Sequence, residues 1–229
     1  MNFLDLIFPK RCVGCGKIGK YICNSCRKLI IPVAPNECVC PVCERRALAG
    51  ITHPRCRAPY TPDGLTSFFY YNNVVREAVR TIKYRFVRDI AQEFVGLIPF
   101  SAYEIRSLVG ASNTALAPMP LHISRLRYRG FNQAETLGDF IAKRLRIPIK
   151  TDLLLRTKIT TSQVEKRDRK ERLENMNSVF AISPNLVASQ YKNILLFDDV
   201  YTTGATMRAA AGVLKRHGVQ FVWGVTMAR

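Results

Sequence analysis

The sequence has no cysteine after residue 56 and no apolar run that approaches the length of a transmembrane helix. A bilayer-spanning helix needs about 20 apolar residues, so the sequence does not predict an integral membrane protein. The first segment is apolar only from Phe3 to Phe8 and has no basic region before it, which is not typical of a secretory signal peptide. We therefore expect a cytoplasmic protein, with the inner face of the membrane as an alternative location for so basic a chain.

Acidic residues are scarce, since 17 Asp and Glu stand against 35 Lys and Arg, for a formal net charge of +18. Such an excess favours polyanionic partners, with nucleic acid first and anionic lipid second. Charge carries no information about sequence readout, and acidic proteins or phosphorylated metabolites stay open as partners. The chain is 48% hydrophobic, so it can bury a core and wholesale disorder is not expected.

The composition changes sharply along the chain, because all eight cysteines lie between Cys12 and Cys56. The next stretch, residues 57 to 64, supplies two prolines and a glycine, which predicts a boundary between a cysteine-rich zinc-binding module (1–60) and a larger domain (61–229). In the larger part, predicted strands alternate with predicted helices, which indicates an α/β fold with a mostly parallel sheet and helices on both faces. The strands are expected at 65–71, 113–121, 192–199 and 219–228, and the helices at 74–86, 90–98, 130–145 and 204–218.

The cysteine-rich part contains two groups with the spacing of metal ligands. In the first, two Cys-x-x-Cys pairs are separated by seven residues, and four thiolates suit tetrahedral Zn²⁺. The second repeats the spacing with one histidine and predicts a second zinc site; its alternative is a degenerate site with the histidine in solvent and the last cysteine structural. The spare thiol, Cys38, could replace one ligand. The first group is Cys12, Cys15, Cys23 and Cys26, and the second is Cys40, Cys43, His53 and Cys56.

An apolar strand near residues 194–197 is followed by two acids, Asp198 and Asp199, and then by threonines and a glycine at the start of a helix. A helix N-terminus built from small residues offers unpaired N–H groups to a phosphate. Carboxylates accept hydrogen bonds from sugar hydroxyls or hold Mg²⁺, so the combination predicts a ligand with both a phosphate and a sugar diol. The alternative is an ordinary threonine cap. The phosphate-binding residues of this prediction are Thr202, Thr203, Gly204, Ala205 and Thr206.

Two segments of the middle region are rich in basic residues and could bind pyrophosphate, nucleic acid or both. The first holds Arg125, Arg127 and Arg129, directly before a predicted helix. The second, residues 157–175, is highly charged, and a solvated helix or a mobile loop is its alternative interpretation. Its candidate contacts are Lys166, Arg167 and Arg169.

The segment DDVYTTGAT resembles the loop that binds 5-phosphoribosyl-1-pyrophosphate (PRPP) in type I phosphoribosyltransferases. The resemblance implies that Asp198 and Asp199 hold the ribose hydroxyls, that residues 202–206 wrap the 5-phosphate, and that Mg²⁺ accompanies PRPP. Thr202 stands where 6-oxopurine enzymes of this fold have a third acid, which argues against purine salvage of that type.

The whole chain resembles the ComF (ComFC/GntX-like) family, through FLDLIFP, the cysteine groups, IKYRF, APMPL, RGFNQAETL, RKERLENMNSVF and LLFDDVYTTGAT, in that order. This resemblance implies a zinc-binding module on a phosphoribosyltransferase-like domain. Some members of the family assist the entry of transforming single-stranded DNA during natural competence. The implied partners are PRPP, single-stranded DNA and DNA-processing proteins such as a competence helicase. The charged stretch EKRDRKER is longer and more basic than in many relatives, which leaves its loop geometry open.

No residue stands out as a base-specific acid or base, so the sequence leaves phosphoribosyl transfer open. The first hypothesis is a protein that binds PRPP and single-stranded DNA and acts in DNA uptake or processing. The second is a metabolic phosphoribosyltransferase that acts on a small nucleophile. The third is a zinc-containing regulator that uses the nucleotide-binding fold as a ligand sensor, although no helix-turn-helix pattern supports it.

Overall fold

The computed structural model describes residues 9–84, 88–99, 105, 113–157, 179–184 and 190–229. Three sequence predictions concern residues outside these ranges. They are the apolar segment 3–8, the end of the predicted helix at 85–86, and the basic stretch that contains Lys166, Arg167 and Arg169.

Within the part of the chain that the structure describes, the main sheet consists of four parallel strands, β1 (Gly64–Phe69), β2 (Thr114–Pro118), β5 (Asn193–Val200) and β6 (Phe221–Ala228). Their order across the sheet is β1–β6–β5–β2. A separate antiparallel pair joins β3 (Leu154–Arg156) to β4 (Phe180–Ile182). The predicted α/β fold with a mostly parallel sheet is confirmed.

In the described ranges, the α-helices are α1 (Asn24–Arg27), α2 (Asn73–Tyr84), α3 (Arg88–Gly96), α4 (Ile123–Arg129), α5 (Gln133–Leu145) and α6 (Ala205–Arg216). The arginines at 125, 127 and 129, expected just before a helix, form the short helix α4 themselves. Gly130 ends α4 with a φ of 76°, a conformation that favours glycine, and the Asn132 side chain then caps α5. Among the described residues, no helix is both long and apolar enough to cross a membrane.

Strand β5 is buried on both faces. Leu195 and Phe197 pack into an apolar cluster with residues of α2, α3 and α5, whereas Ile194 and Leu196 pack into a second cluster with residues of α6. None of these four side chains has exposed area. Continuous apolar runs are typical of parallel strands covered on both faces, and the predicted helices on both faces are therefore confirmed.

The cysteine-rich part attaches to the edge of the sheet at β1. The Val33 N–H donates to the Phe68 carbonyl at 2.9 Å, and the Tyr70 N–H donates to the Ile31 carbonyl at 3.0 Å. At the other end of the strand, the Thr52 N–H donates to the Asp63 carbonyl at 2.9 Å. These hydrogen bonds seat the cysteine-rich residues against the sheet, while the division of the chain at residue 60 stays a prediction.

Candidate functional site

The two acids of the predicted ribose site lie at the carboxyl end of β5. Asp198 and Asp199 follow the last residue pair that joins this strand to β2, which is Phe197 with Pro118. From this edge the chain continues after β2 to α5 on one face and after β5 to α6 on the other. Ligands of open α/β sheets bind where neighbouring connections diverge in this way, so the acids occupy a favourable position for a ligand.

The Asp199 carboxylate is buried and held by two side chains. Lys83 Nζ lies 2.7 Å from Asp199 Oδ2, and Gln133 Nε2 donates to the same oxygen at 3.1 Å. Gln133 is oriented in turn by Arg129, whose Nη1 donates to the Gln133 Oε1 at 2.9 Å. Because a carboxylate offers about four lone-pair sites, these partners leave acceptor capacity for a sugar hydroxyl.

The Asp198 carboxylate is half-buried and accepts the Asp199 N–H at 2.8 Å. Burial, followed by the neighbouring Asp199 carboxylate, raises the pKa of Asp198 to about 7. Lys83 and Arg156 oppose this increase. Burial lowers the pKa of Arg156, Arg125 acts in the same direction and Asp198 opposes both, so the Arg156 guanidinium belongs to the electrostatic surroundings of Asp198. Near neutral pH this carboxyl can therefore both donate and accept a proton.

The segment from Thr202 to the start of α6 has the geometry of a helix N-terminus open to a ligand. Gly204 precedes the helix with a φ of 65°, and no described side chain caps the helix at this end. Thr202 and Thr203 are exposed, Thr206 is half-buried, and Arg208 Nη1 donates to the Thr203 carbonyl at 2.9 Å. Uncapped N–H groups in the first turn suit an anionic oxygen.

The two predicted metal groups both assemble. In each, the four ligand atoms lie within 4.8 Å of one another. The Cys15 and Cys23 sulfurs are 3.6 Å apart, and Cys43 Sγ lies 3.3 Å from His53 Nδ1. Tetrahedral zinc with Zn–S bonds of about 2.3 Å requires ligand separations of about 3.8 Å, so both groups could hold such an ion. The ligand sets are Cys12, Cys15, Cys23 and Cys26, and Cys40, Cys43, His53 and Cys56.

Two further details concern the second metal group. His53 Nε2 lies 2.9 Å from the Arg46 carbonyl, which orients the ring and leaves Nδ1 facing the cysteines. Cys38, the spare thiol of the sequence, lies outside the four-residue group and donates to the Ala34 carbonyl at 3.7 Å. Because its Nε2 is held by the Arg46 carbonyl, His53 presents Nδ1 to the cysteine thiols, as a zinc ligand would.

The described part of the basic region presents arginines at the surface of α4. Arg125 and Arg127 are exposed, and Tyr128, between Arg127 and Arg129, has 84% of its surface exposed. Arg129 is half-buried against Gln133. The helix thus combines two exposed charges with an aromatic ring, a combination that suits stacked bases and phosphates.

Sequence reasoning missed several residues that surround the acids and residues 202–206, which we call the phosphate segment. Lys83 and Gln133 lie within the motifs IKYRF and RGFNQ. These motifs supported the family resemblance, but the sequence assigned no role to either residue. Gln133 meets Asp199 across 66 positions of sequence, and such contacts leave no local pattern. The missed residues are Lys83, Gln133, Arg156, Tyr201 and Arg208.

No family model matches the chain. It is 33% identical over 116 residues to Competence protein F of Haemophilus influenzae, a match that spans half the length of each protein. It is 28% identical over 204 residues to Competence protein ComFC of Bacillus subtilis, covering 86% of this chain and 79% of that protein. It is also 26% identical over 203 residues to DNA utilization protein YhgH of Escherichia coli, covering 80% and 87% respectively.

We expect metal analysis to find two zinc ions per chain in protein purified without chelators, because both ligand sets are complete. Removal of the metal with a strong chelator should increase hydrogen exchange in residues 10–57 more than in the parallel sheet. A content of one ion per chain or fewer would contradict this prediction.

We expect the Asp198→Asn variant to gain stability relative to the parent as pH rises from 4.5 to 7. A carboxyl whose folded pKa is raised to about 7 stabilises the fold only while protonated, and that contribution is lost as pH rises towards the folded pKa. The Tm of the variant minus the Tm of the parent should therefore increase with pH, by about 2–4 °C for each kcal/mol of stability that the parent loses. Asp139→Asn, at a carboxylate on α5, is the control, and a difference that grows equally there would contradict the assignment.

Proposed function

The chain belongs to the ComF family, and from this premise we propose that it binds PRPP at the carboxyl edge of the sheet and single-stranded DNA on an adjoining arginine-rich surface. Its role would be in DNA uptake or DNA processing. The relatives named Competence protein and DNA utilization protein support the process, and the paired acids beside the uncapped start of α6 support the ligand.

The observation that carries the PRPP proposal is the proximity of carboxylates and open helix N–H groups at one edge of the sheet. Asp198 and Asp199 would accept hydrogen bonds from the ribose hydroxyls, and residues 202–206 would surround the 5-phosphate. Lys83 and Arg156, two cations in the electrostatic surroundings of the acids, would compensate the charge of the pyrophosphate. Mg²⁺ would arrive bound to PRPP, and the acids are its natural oxygen ligands.

The proposal for single-stranded DNA depends on charge and on exposed aromatic area. The net charge of +18 attracts a polyanion, and Arg125, Arg127 and Tyr128 project from α4. The second metal group adds four exposed arginines around its ligands. They are Arg45, Arg46, Arg55 and Arg57. Phosphate contacts with occasional stacking suit strands bound without sequence preference.

A second candidate function, phosphoribosyl transfer to a small nucleophile, is favoured by one observation. Asp198 has a pKa near neutral pH, and such a carboxyl is suited to exchange a proton with a reacting group. This candidate predicts turnover of PRPP in the presence of an amine or base, with little dependence on salt. PRPP that remains intact beside a panel of such nucleophiles would exclude it.

The PRPP proposal is tested by titration calorimetry of the parent protein with PRPP and Mg²⁺. At pH 8, above the pKa of Asp198, Asp198→Asn and Asp199→Asn should each weaken binding about tenfold or more, because each removes a charged acceptor worth about 1.5–3 kcal/mol. Asp139→Asn removes a carboxylate from α5 that contacts Arg88 and Lys143, and it should bind as the parent does. Parental affinity in both site variants would overturn the assignment of the acids.

The DNA proposal is tested by fluorescence anisotropy of a labelled single-stranded oligonucleotide at several salt concentrations, with and without PRPP and Mg²⁺. The double variant Arg125→Ala/Arg127→Ala should weaken binding and reduce the salt slope by about 0.7 for each phosphate that is no longer neutralised. The matched control, Arg76→Ala/Arg80→Ala, removes the same charge from α2. Absence of binding at low salt, or equal effects of the two double variants, would contradict the proposed surface.

A further inference from the structure

The second metal group lies directly against the segment that precedes α6. Pro41, between the ligands Cys40 and Cys43, presents its carbonyl oxygen to two donors from this part of the chain. Tyr201 Oη donates to it at 3.1 Å, and Arg208 Nη1 donates to it at 3.1 Å. Since the same Arg208 nitrogen also donates to the Thr203 carbonyl at 2.9 Å, one guanidinium joins the metal-binding turn to the phosphate segment.

Tyr201 is enclosed on the side of the metal group. It is 7% exposed and shares an apolar cluster with Val39 and Leu65. Its N–H donates to the Ala228 carbonyl at 2.8 Å, so its backbone is fixed to β6 while its hydroxyl is fixed to Pro41. Burial raises the pKa of Tyr201 to about 12, which keeps the hydroxyl a donor.

The Tyr201 ring also sets the shape of the phosphate segment. A Cβ placed on Gly204 would come within 2.3 Å of Tyr201 Oη, so the ring occupies the space beside that glycine. The left-handed φ of Gly204 and the packed ring together direct the chain into α6. A shift of the phenol would therefore change the path of residues 202–204, which carry the proposed phosphate contacts.

The position of the Pro41 carbonyl depends in turn on the metal-binding turn. Residues 40–45 form a tight turn in which the Glu44 N–H donates to the Cys40 carbonyl at 3.0 Å and the Cys40 N–H donates to the Arg45 carbonyl at 2.9 Å. An ion bound by Cys40 and Cys43 closes this turn, because both sulfurs must reach one centre. Residues 42–45 of this turn are half-buried or exposed, so without the ion they have little apolar burial to hold them.

The first metal group has different neighbours. The Ile22 N–H donates to Glu93 Oε1 of α3 at 2.9 Å, and the space beside Gly14 is limited by the Val74 side chain of α2. The hydrogen bonds of its four cysteines, among the described residues, run to other residues of the same segment, 12–29. The second metal group thus contacts the phosphate segment, whereas the first contacts α2 and α3. The first group can therefore serve as a control for the second.

We propose that the ion of the second metal group controls binding of the phosphorylated ligand, through the Pro41 carbonyl and the side chains of Tyr201 and Arg208. This inference rests on the proposed PRPP site and adds a means of regulation to it. Ligation fixes the carbonyl, the carbonyl fixes the two donors, and the donors hold the phosphate segment so that the uncapped N–H groups at the start of α6 can reach the ligand. By linkage, bound PRPP strengthens retention of this ion and leaves the ion of the first group unaffected.

The test compares Cys43→Ser with Cys15→Ser in the full chain. Each removes one exposed cysteine from one group. Metal content, hydrogen exchange of residues 201–207 in the ligand-free protein, and affinity for PRPP with Mg²⁺ are measured for both. We expect each variant to lose one zinc ion. Only Cys43→Ser should accelerate exchange in the phosphate segment and weaken PRPP binding, by about tenfold, within the usual range of coupling between sites.

Tyr201→Phe and Arg208→Lys test the positioning residues with every metal ligand in place. Both variants should retain two zinc ions and still weaken PRPP binding, about threefold or more. Tyr201→Phe removes the hydrogen bond to Pro41, and Arg208→Lys keeps the charge but replaces the planar guanidinium that joins the Pro41 and Thr203 carbonyls. When Cys43→Ser is added to the Tyr201→Phe/Arg208→Lys double variant, it should weaken binding little further, because the connection is already broken. A purely structural role would instead lower Tm without this non-additive effect on affinity.

The outcomes separate the coupling from the ligand assignment. If the parent binds PRPP and both cysteine variants bind it equally, the coupling is wrong and the proposed function stands. If the parent does not bind PRPP, the proposed function fails, and the exchange measurements on residues 201–207 still decide whether the second group orders them. If Cys43→Ser does not fold, unchanged affinity and exchange in the Tyr201→Phe and Arg208→Lys variants would overturn the coupling.

Discussion

Burial of both faces of β5 is the constraint on which the rest of the molecule depends. Residues 194–197 have no exposed area, so the strand cannot move by one residue without exchanging its two apolar faces. This register fixes the point at which Asp198 and Asp199 leave the sheet. Two neighbouring carboxylates at this point repel each other. Asp199 forms an ion pair with Lys83, whereas Asp198 has a raised pKa. The chemistry of the edge thus follows from the packing of the strand behind it.

Most elements of the sheet and its covering helices could be predicted because their apolar patterns are long. The strands β5 and β6 are continuous apolar runs, and α5 and α6 have helical periodicity. The pair β3 and β4 could not be predicted, because strands of three residues are too short to establish a period and their partners are separated by a charged stretch. Helix α4 escaped prediction for a related reason, since arginines alternate with apolar residues over only seven positions.

The residues of the candidate site also fall into two classes, those close together in sequence and those that meet only in the fold. The acids, the threonines and the cysteine pairs could be recognised because each group is nearly contiguous in sequence. Their partners could not, because Tyr201 meets Pro41 across 160 positions and Gln133 meets Asp199 across 66. Spacing predicts which residues can share a ligand, but only the fold determines which loop a metal-binding turn will contact.

The Gln133 side chain has a consequence that follows from the identity of its two neighbours. Arg129 can only donate and ionised Asp199 can only accept, so the amide must present its oxygen to the first and its nitrogen to the second. A flipped amide would set N–H against N–H and oxygen against oxygen. The arginine helix and the buried carboxylate are therefore joined by a hydrogen-bonded chain with a single polarity, in which each member fixes the orientation of the next.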